Sequence, residues 1–206
     1  MNASANQLPA DWVTRWQRIA RRIRVPLGFL TAGLYLYELW RSQPRLMAVV
    51  WSLALVVPGL WLRAYASGYV KKNQELTTTG PYAHTRNPLY LGSMLMAAGF
   101  ALALMSWPVA LVLAIGFLII YVPVIAAEER FLHATFPAFD EYCLQVPRLV
   151  PRLRPARHSG DIESGRFSLA LYLKHREYNA LLGVILLYLS LAFFRPAIAL
   201  IFHGRP

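Results

Sequence analysis

The chain has 206 residues, of which 57% are hydrophobic and only 15% are charged, with a formal net charge of +11 and one cysteine. A soluble domain has about 25% charged residues, yet the forty residues from Pro88 to Ala127 include no Asp, Glu, Lys or Arg. Because about 20 apolar residues are enough to cross a bilayer, this composition excludes a soluble globular enzyme, a disordered chain and a repeat solenoid. The single Cys143 excludes an internal disulfide and a cysteine-only metal site.

The first predicted element is a basic segment at 11–24. Its apolar residues recur at helical spacing and its arginines lie between them; the apolar residues are Trp12, Trp16, Ile19 and Ile23. This pattern is typical of an amphipathic helix that lies in the headgroup layer of a membrane. An arginine cluster that only fixes the orientation of the chain is an equally good interpretation.

Five predicted transmembrane helices follow within one membrane domain, 1–206, and they occupy 25–41, 46–63, 88–105, 107–136 and 179–202. The turn between the third and fourth is predicted at Ser106-Trp107-Pro108, because proline fits the first turn of a helix. With five spans the Lys and Arg residues divide 17 to 4 between the two sides of the membrane, and without the first span they divide 12 to 9.

This charge division predicts a multi-pass membrane protein with its N-terminus in the cytoplasm, because positive residues are retained on the cytoplasmic side. The net charge is thereby assigned to membrane orientation, and we expect no nucleic-acid partner. The external loops are short and contain few polar residues. Any polar chemistry is therefore expected in the cytoplasmic segments.

The first cytoplasmic segment of interest is 70–92. Gly80-Pro81 and Asn87-Pro88 are strong turn signals. Backbone amides, an aromatic face and hydrogen-bonding side chains at a membrane surface are the components of a small-molecule pocket. The alternative is a loop whose tyrosines anchor it at the interface and whose arginine snorkels. The side chains between the two turns include Tyr82, His84 and Arg86.

The second segment of interest is 128–151, where an apolar helix continues without a break into Glu128 and Glu129. A carboxylate at the membrane boundary is costly unless it is paired or solvated. For Glu129 we favour a structural ion pair with Arg86 or Arg130. The histidines of the chain show no metal-ligand spacing, and no metal site is predicted.

Together the two segments resemble a known superfamily, that of the isoprenylcysteine carboxyl methyltransferases and phospholipid methyltransferases. The resemblance extends from Gln74 to Pro151, and two ordered motifs around a helical hairpin make it more specific than either motif alone. The residues that carry it are Thr79-Gly80-Pro81-Tyr82, Arg86-Asn87-Pro88-Leu89-Tyr90-Leu91-Gly92, Glu128-Glu129, Leu132, Phe136, Tyr142 and Val146-Pro147-Arg148.

The resemblance implies an all-α integral membrane bundle of about five transmembrane helices with a cytosolic pocket. It implies that S-adenosyl-L-methionine is the cofactor and S-adenosyl-L-homocysteine the product. The methyl group would go to a membrane-embedded lipophilic acceptor, either a lipid amine such as a phospholipid headgroup or an isoprenoid-linked carboxylate. Membrane lipids and lipophilic small molecules are the implied partners.

The resemblance also implies site residues. The implied catalytic residues are Glu128, Arg86 and His84. The implied cofactor-binding residues are Gln74, Glu75, Leu76, Thr77, Tyr82, Asn87, Pro88, Leu89, Tyr90 and Glu128.

Three departures from the family pattern bear on the acceptor and the fold. Asn87 replaces the usual histidine, Pro137 replaces a glycine, and Val124 stands where the eukaryotic prenylcysteine enzymes have an arginine. Without that arginine a carboxylate acceptor lacks a counter-charge, which weakens the prenylcysteine interpretation and leaves lipid amines or other lipophilic acceptors open. The alternative function is an NADPH-dependent membrane reductase of the sterol reductase type, whose members have more spans. A small non-enzymatic membrane adaptor is a third interpretation.

Overall fold

The computed structural model describes residues 29–41, 45–71, 74–156 and 165–203, with side chains described up to residue 193. Within these ranges the secondary structure is helical and contains no strand, so the predicted all-α class is confirmed. The predicted interfacial helix at 11–24 lies outside the described residues, as does the beginning of the predicted span at 25–41.

Two short turns that are not α-helical lie between the described helices. A 3₁₀ turn at Gly80–Ala83 precedes α3, and a π turn at Phe117–Tyr121 separates α4 from α5. The helices are α1 (29–41), α2 (Leu46–Ser67), α3 (Pro88–Leu104), α4 (Trp107–Gly116), α5 (Val122–Thr135), α6 (Phe139–Gln145), α7 (Leu169–Lys174) and α8 (Tyr178–His203).

Two of the described helices are long and apolar enough to cross a membrane. One is α2, with 22 residues, and the other is the 29-residue helix Trp107–Thr135 that α4, the π turn and α5 form together. Shorter apolar helical stretches are Pro88–Leu104, which is α3, and Tyr178–Phe193, which is the first part of α8. Large apolar side chains such as Trp51 and Trp61 are exposed on α2. This surface fits a membrane location, since apolar surface of this extent is unfavourable in water.

The π turn in the long helix has a local cause. Pro123 lies two residues after it, and proline has no N–H to donate to the carbonyl four residues earlier. The backbone therefore widens to π bonding for one turn, a feature often found at functional sites. Tyr121, the last residue of the π turn, contacts the ring of Tyr90 edge-on with the centroids 5.4 Å apart.

Helices α2 and α3 pack closely because glycines face each other at their interface. A Cβ atom on Gly59 would lie 2.7 Å from the carbonyl oxygen of Gly92, and one on Gly92 would lie 2.6 Å from the carbonyl oxygen of Gly59. Small residues of this kind let the backbones of membrane helices approach each other. The contact fixes the first turns of α3 and therefore the loop that precedes it.

Helix α8 is attached to the other helices by hydroxyl groups. The hydroxyls of Ser52 on α2 and Tyr188 on α8 are 2.7 Å apart, and those of Tyr35 on α1 and Ser190 on α8 are 2.6 Å apart. Hydrogen bonds between helices are favourable where water is excluded. They hold α8 against α2, so that the junction between α7 and α8 lies near the end of α2.

The glycine contact leads to a prediction for stability. Gly92→Ala is expected to lower the free energy of unfolding by about 1–3 kcal/mol, the usual cost of overpacking. The matched control is Gly183→Ala on α8, where a Cβ atom would meet nothing within 4 Å. Because alanine is a better helix former than glycine, the control should unfold at the same temperature or higher. Thermal unfolding in one detergent measures both, and equal midpoints for the two variants would contradict the packing.

Candidate active site

A cavity of about 480 Å³ lies among the loop before α3, the end of α5, α6 and the α7–α8 junction. Small-molecule sites usually have volumes of about 300–1,000 Å³. The cavity brings together most of the residues that the family resemblance implies. Those in its wall are Glu75, Leu76, Thr77, Tyr82, Arg86, Asn87, Pro88, Leu89, Tyr90 and Glu128.

The turn that brings Tyr82 to the cavity requires a glycine at its start. Gly80 has φ +60°, in the left-handed region, and a Cβ atom there would lie 2.6 Å from the ring of Tyr69. Pro81 follows at the second position of the 3₁₀ turn, where its fixed φ fits. The Gly-Pro pair therefore sets both the direction of the chain and the close contact with Tyr69.

Backbone hydrogen bonds attach this loop to the segment after α6. Buried backbone groups need partners, and here two irregular segments supply them to each other. The bonds run from the N–H of Arg86 to the carbonyl of Pro147 at 2.9 Å, from the N–H of Arg152 to the carbonyl of His84 at 3.0 Å, and from the N–H of Ala156 to the carbonyl of Ala83 at 2.9 Å.

Two buried polar side chains strengthen the same attachment. The hydroxyl of Thr85 donates to the carbonyls of Arg148 and Leu149 at 3.2 Å each. The side-chain amide of Asn87 donates to the carbonyl of Arg148 at 3.0 Å. Asn87 thus uses its hydrogen-bonding capacity to hold the loop, which gives the departure from the family's histidine a structural explanation.

Tyr82 and Tyr142 are buried in the wall and protonated at neutral pH. Burial raises the pKa of Tyr82 well above its ordinary value, and the nearby Tyr142, Glu128, Tyr90 and Glu177 raise it further. Burial also raises the pKa of Tyr142. The hydroxyl of Tyr142 donates to the carbonyl of Tyr82 at 2.7 Å, which fixes the 3₁₀ turn over α6.

Glu129 is a structural residue that joins the two motifs. It is 9% exposed, accepts a hydrogen bond from Nε of Arg148 at 2.9 Å, and lies 3.6 Å from the guanidinium of Arg86. The hydrogen bond to Glu129 raises the pKa of Arg148. The predicted pairing with Arg86 is confirmed. The second partner of Glu129 is Arg148. Arg130, the other partner that the sequence allowed, is exposed.

Glu128 has a different environment from its neighbour. Consecutive helical residues point about 100° apart, and Glu128 lies in the cavity wall. It accepts a hydrogen bond from the hydroxyl of Tyr90 at 2.9 Å. Tyr90 in turn contacts the ring of Tyr121. The pair of tyrosines therefore positions the carboxylate of Glu128.

Three buried polar atoms of the described chain have no hydrogen-bond partner, and all belong to residues of the cavity wall. They are Oγ1 of Thr77, Nε of Arg86 and Oε1 of Glu129. A buried polar group without a partner costs about 1–3 kcal/mol, and such groups are rare in native proteins. A bound polar molecule would satisfy them.

The charges of the wall leave a small negative excess. Four glutamates and three basic residues line it, which gives a net charge of −1 with histidine neutral. Most of these charges are paired, since Glu177 binds Arg63 at 2.8 Å and Glu75 binds Lys71 at 2.9 Å. Arg86 lies 3.6 Å from Glu129, which also binds Arg148 outside the wall. A ligand of net positive charge suits such a site better than an anion.

Part of the wall was missed by the sequence analysis. Arg63, Ser67, His175 and Glu177 line the cavity from α2 and from the α7–α8 junction. In the sequence Arg63 is one of the 17 basic residues on the predicted cytoplasmic side, and no other role is predicted for it. The available signal was Glu177, a carboxylate beside a predicted span, where charged residues are costly without a partner.

Two of the implied residues are not in the wall. Nδ1 of His84 lies 2.8 Å from the carbonyl of Arg152, so its ring contributes to the attachment of the loop. The N–H of Gln74 donates to the carbonyl of Lys71 at 3.1 Å, in a turn beside the cavity. The predicted catalytic role of His84 and the predicted cofactor contact of Gln74 stay predictions.

Comparison with known proteins places these residues in a family context. The model of the family described as phospholipid methyltransferase matches residues 46–138, which is consistent with the superfamily that the two motifs resemble. The match contains the 3₁₀ turn, the start of α3 and both glutamates of α5. It does not extend to the α7–α8 junction.

The chain is also similar to two curated bacterial proteins. It is 39% identical over 115 residues to the cobalt-zinc-cadmium resistance protein CzcN of Cupriavidus metallidurans. The matched region covers 55% of this chain and 52% of that protein. It is 35% identical over 130 residues to the nickel-cobalt-cadmium resistance protein NccN of Alcaligenes xylosoxydans xylosoxydans, covering 63% and 60%. The chain thus spans little more than half the length of these relatives. No solved structure matches it.

The role assigned to Glu129 can be tested through stability. Glu129→Gln is expected to lower the free energy of unfolding by about 3 kcal/mol, because breaking a buried ion pair leaves the charge of Arg86 without its counter-charge. Glu141→Gln on α6 is the matched control, since Glu141 is exposed. Chemical denaturation in detergent compares them. A loss as small in Glu129→Gln as in the control would show that Glu129 does not hold the motifs together.

Proposed function

We propose that this protein is an integral membrane methyltransferase that transfers the methyl group of S-adenosyl-L-methionine to a lipophilic acceptor in the membrane. The observation that carries the proposal is the cavity itself. The two motifs form it together, and the three buried side-chain atoms without a hydrogen-bond partner among the described residues belong to its wall. Five transmembrane helices and a cytoplasmic position of the cavity and N-terminus are part of the same proposal.

The residues present fit the proposed cofactor. A sulfonium is a cation, and the faces of Tyr82 and Tyr90, which line the cavity, attract cations. The amino-acid part of the cofactor has a carboxylate that suits Nε of Arg86 and an ammonium that suits the carboxylate of Glu128. Oγ1 of Thr77 is a further polar group for the nucleoside. The net charge of −1 in the wall complements the single positive charge of the cofactor.

When bound, the cofactor supplies a methyl group on positively charged sulfur. The chain then has three tasks, which are to position the reactants, exclude water and keep the acceptor nucleophilic. Positioning alone contributes roughly 7–11 kcal/mol in well-oriented reactions. Apolar wall residues such as Leu76, Leu89 and Phe139 exclude water, which favours a reaction in which charge disperses. No covalent enzyme intermediate is required.

The acceptor is proposed to approach from the bilayer between α3 and α5. Tyr90 on α3 and Tyr121, the residue before α5, line the cavity, and the ring of Tyr121 contacts that of Tyr90. A lipid tail would lie along the apolar residues of these helices while its headgroup enters the cavity. The names of the two relatives refer to metal resistance. If the chain has such a role, this chemistry would exert it by modifying a membrane component.

Ligand-dependent stability tests the proposed function. S-adenosyl-L-homocysteine should raise the unfolding temperature of the purified protein, because a ligand that binds only the folded state stabilises it more as its concentration rises above Kd, and NADPH should not. Glu128→Gln should weaken binding about tenfold, or roughly 1.4 kcal/mol. Glu141→Gln should bind as the unmodified chain does. Stabilisation by NADPH alone would favour the reductase, and stabilisation by neither ligand would contradict the methyltransferase.

A further inference from the structure

The α7–α8 junction places two polar side chains in the cavity wall, His175 and Glu177. Glu177 is close enough to the first motif to raise the pKa of Tyr82. The junction lies outside the region that the family model matches, which ends at residue 138. The two motifs therefore do not explain why His175 and Glu177 line the cavity.

The hydrogen bond of His175 determines which ring nitrogen is available. Its Nδ1 lies 3.1 Å from the carbonyl oxygen of Ser67. A carbonyl oxygen only accepts, so Nδ1 must hold the proton in this bond. In a neutral imidazole Nε2 then has the lone pair and is the basic atom.

The junction that holds His175 is fixed to α2 and α3. Arg176 has φ +55°, in the left-handed region, and ends α7. Nε and Nη2 of Arg63 donate to the carboxylate of Glu177 at 2.8–3.0 Å, and Nη1 of Arg63 donates to the carbonyl of Leu89 at 3.2 Å. His175 therefore stands on a braced segment beside the first turn of α3.

We propose that His175 accepts the proton of an amine acceptor during methyl transfer, an inference that rests on the proposed function. The net charge of the wall is −1, which suits a positively charged headgroup. Arg63 is already paired with Glu177 and provides no free counter-charge for a carboxylate. Glu128 is bound by Tyr90, whereas among the described residues no hydrogen bond engages Nε2 of His175.

In the proposed step a proton passes from the acceptor to His175 and a methyl group passes from sulfur to the acceptor nitrogen. An ammonium headgroup gives one proton to Nε2 of His175, and the electron pair of that N–H bond becomes the lone pair of the amine. This lone pair forms the new N–C bond while the C–S bond breaks and its electrons remain on sulfur. The products are a methylated ammonium, a thioether and an imidazolium, which passes its proton to water. General-base assistance of this kind contributes about 10²–10⁴-fold.

Several charged groups surround His175. On its own junction these are Lys174, Arg176 and Glu177, and from α2 and the residues after it they are Arg63 and Lys71. Two of the basic residues are paired, Arg63 with Glu177 and Lys71 with Glu75. The test therefore compares the variant with the unmodified chain at each pH, so that these groups affect both proteins alike.

The test uses His175→Asn, because the asparagine amide can still donate to the carbonyl of Ser67 but has no second ring nitrogen. The full chain is reconstituted in vesicles of phosphatidylethanolamine and phosphatidylglycerol with methyl-labelled S-adenosyl-L-methionine. Transfer to phosphatidylethanolamine at neutral pH should fall at least about 100-fold, and the deficit should shrink as rising pH deprotonates the amine. His133→Asn, at an exposed histidine paired with Asp140, should transfer at the unmodified rate.

A second measurement does not depend on turnover. Nitrogen-15 NMR of histidine-labelled protein, with the His175 signals identified by their loss in His175→Asn, should show the proton on Nδ1. A proton on Nε2, an unchanged rate in the variant, or a deficit equal at every pH would overturn the role of His175. An unmodified chain that S-adenosyl-L-homocysteine stabilises but that does not methylate phosphatidylethanolamine would overturn the amine acceptor. Absence of that stabilisation would instead overturn the proposed function.

Discussion

Polar pairing between the loop before α3 and the segment after α5 is the interaction on which the cavity depends. Both are irregular where they meet, and their backbone groups bond each other, as between Arg86 and Pro147. Glu129 adds the charged contact by lying between Arg86 and Arg148. Buried groups of this kind are stable only when all of them find partners. The few atoms that find none, such as Nε of Arg86, are therefore informative about a ligand.

Helix packing makes that pairing possible. The close approach of α2 and α3 at Gly59 and Gly92 sets where α3 begins, and the loop is attached directly to that beginning. From the other side, Arg63 joins α2 to Glu177. Replacing one partner of such a pair is costly because the remaining charge is left without compensation. The cavity is thus enclosed by two polar contacts, one within the family motifs and one outside them.

The sequence predicted the local features better than the distant contacts. Gly80 and Pro81 specify a turn by their own backbone preferences. The Glu128-Glu129 pair at the end of an apolar helix predicts the membrane boundary, because carboxylates are costly inside a membrane. The contact between Arg63 and Glu177 joins residues 114 positions apart, and no local pattern indicates it. An arginine at the end of a span has the same sequence environment whether it only orients the chain or also lines a pocket.

The central claim is that the turn before α3 and the end of α5 bind one molecule together. Ultraviolet cross-linking of methyl-labelled S-adenosyl-L-methionine to the purified protein, followed by peptide mapping, tests it most directly. The account predicts label on the peptides that contain Tyr82, Tyr90 and Glu128, and loss of that label when unlabelled S-adenosyl-L-homocysteine is added. Label confined to α4 or α8, or label that the competitor does not displace, would contradict it.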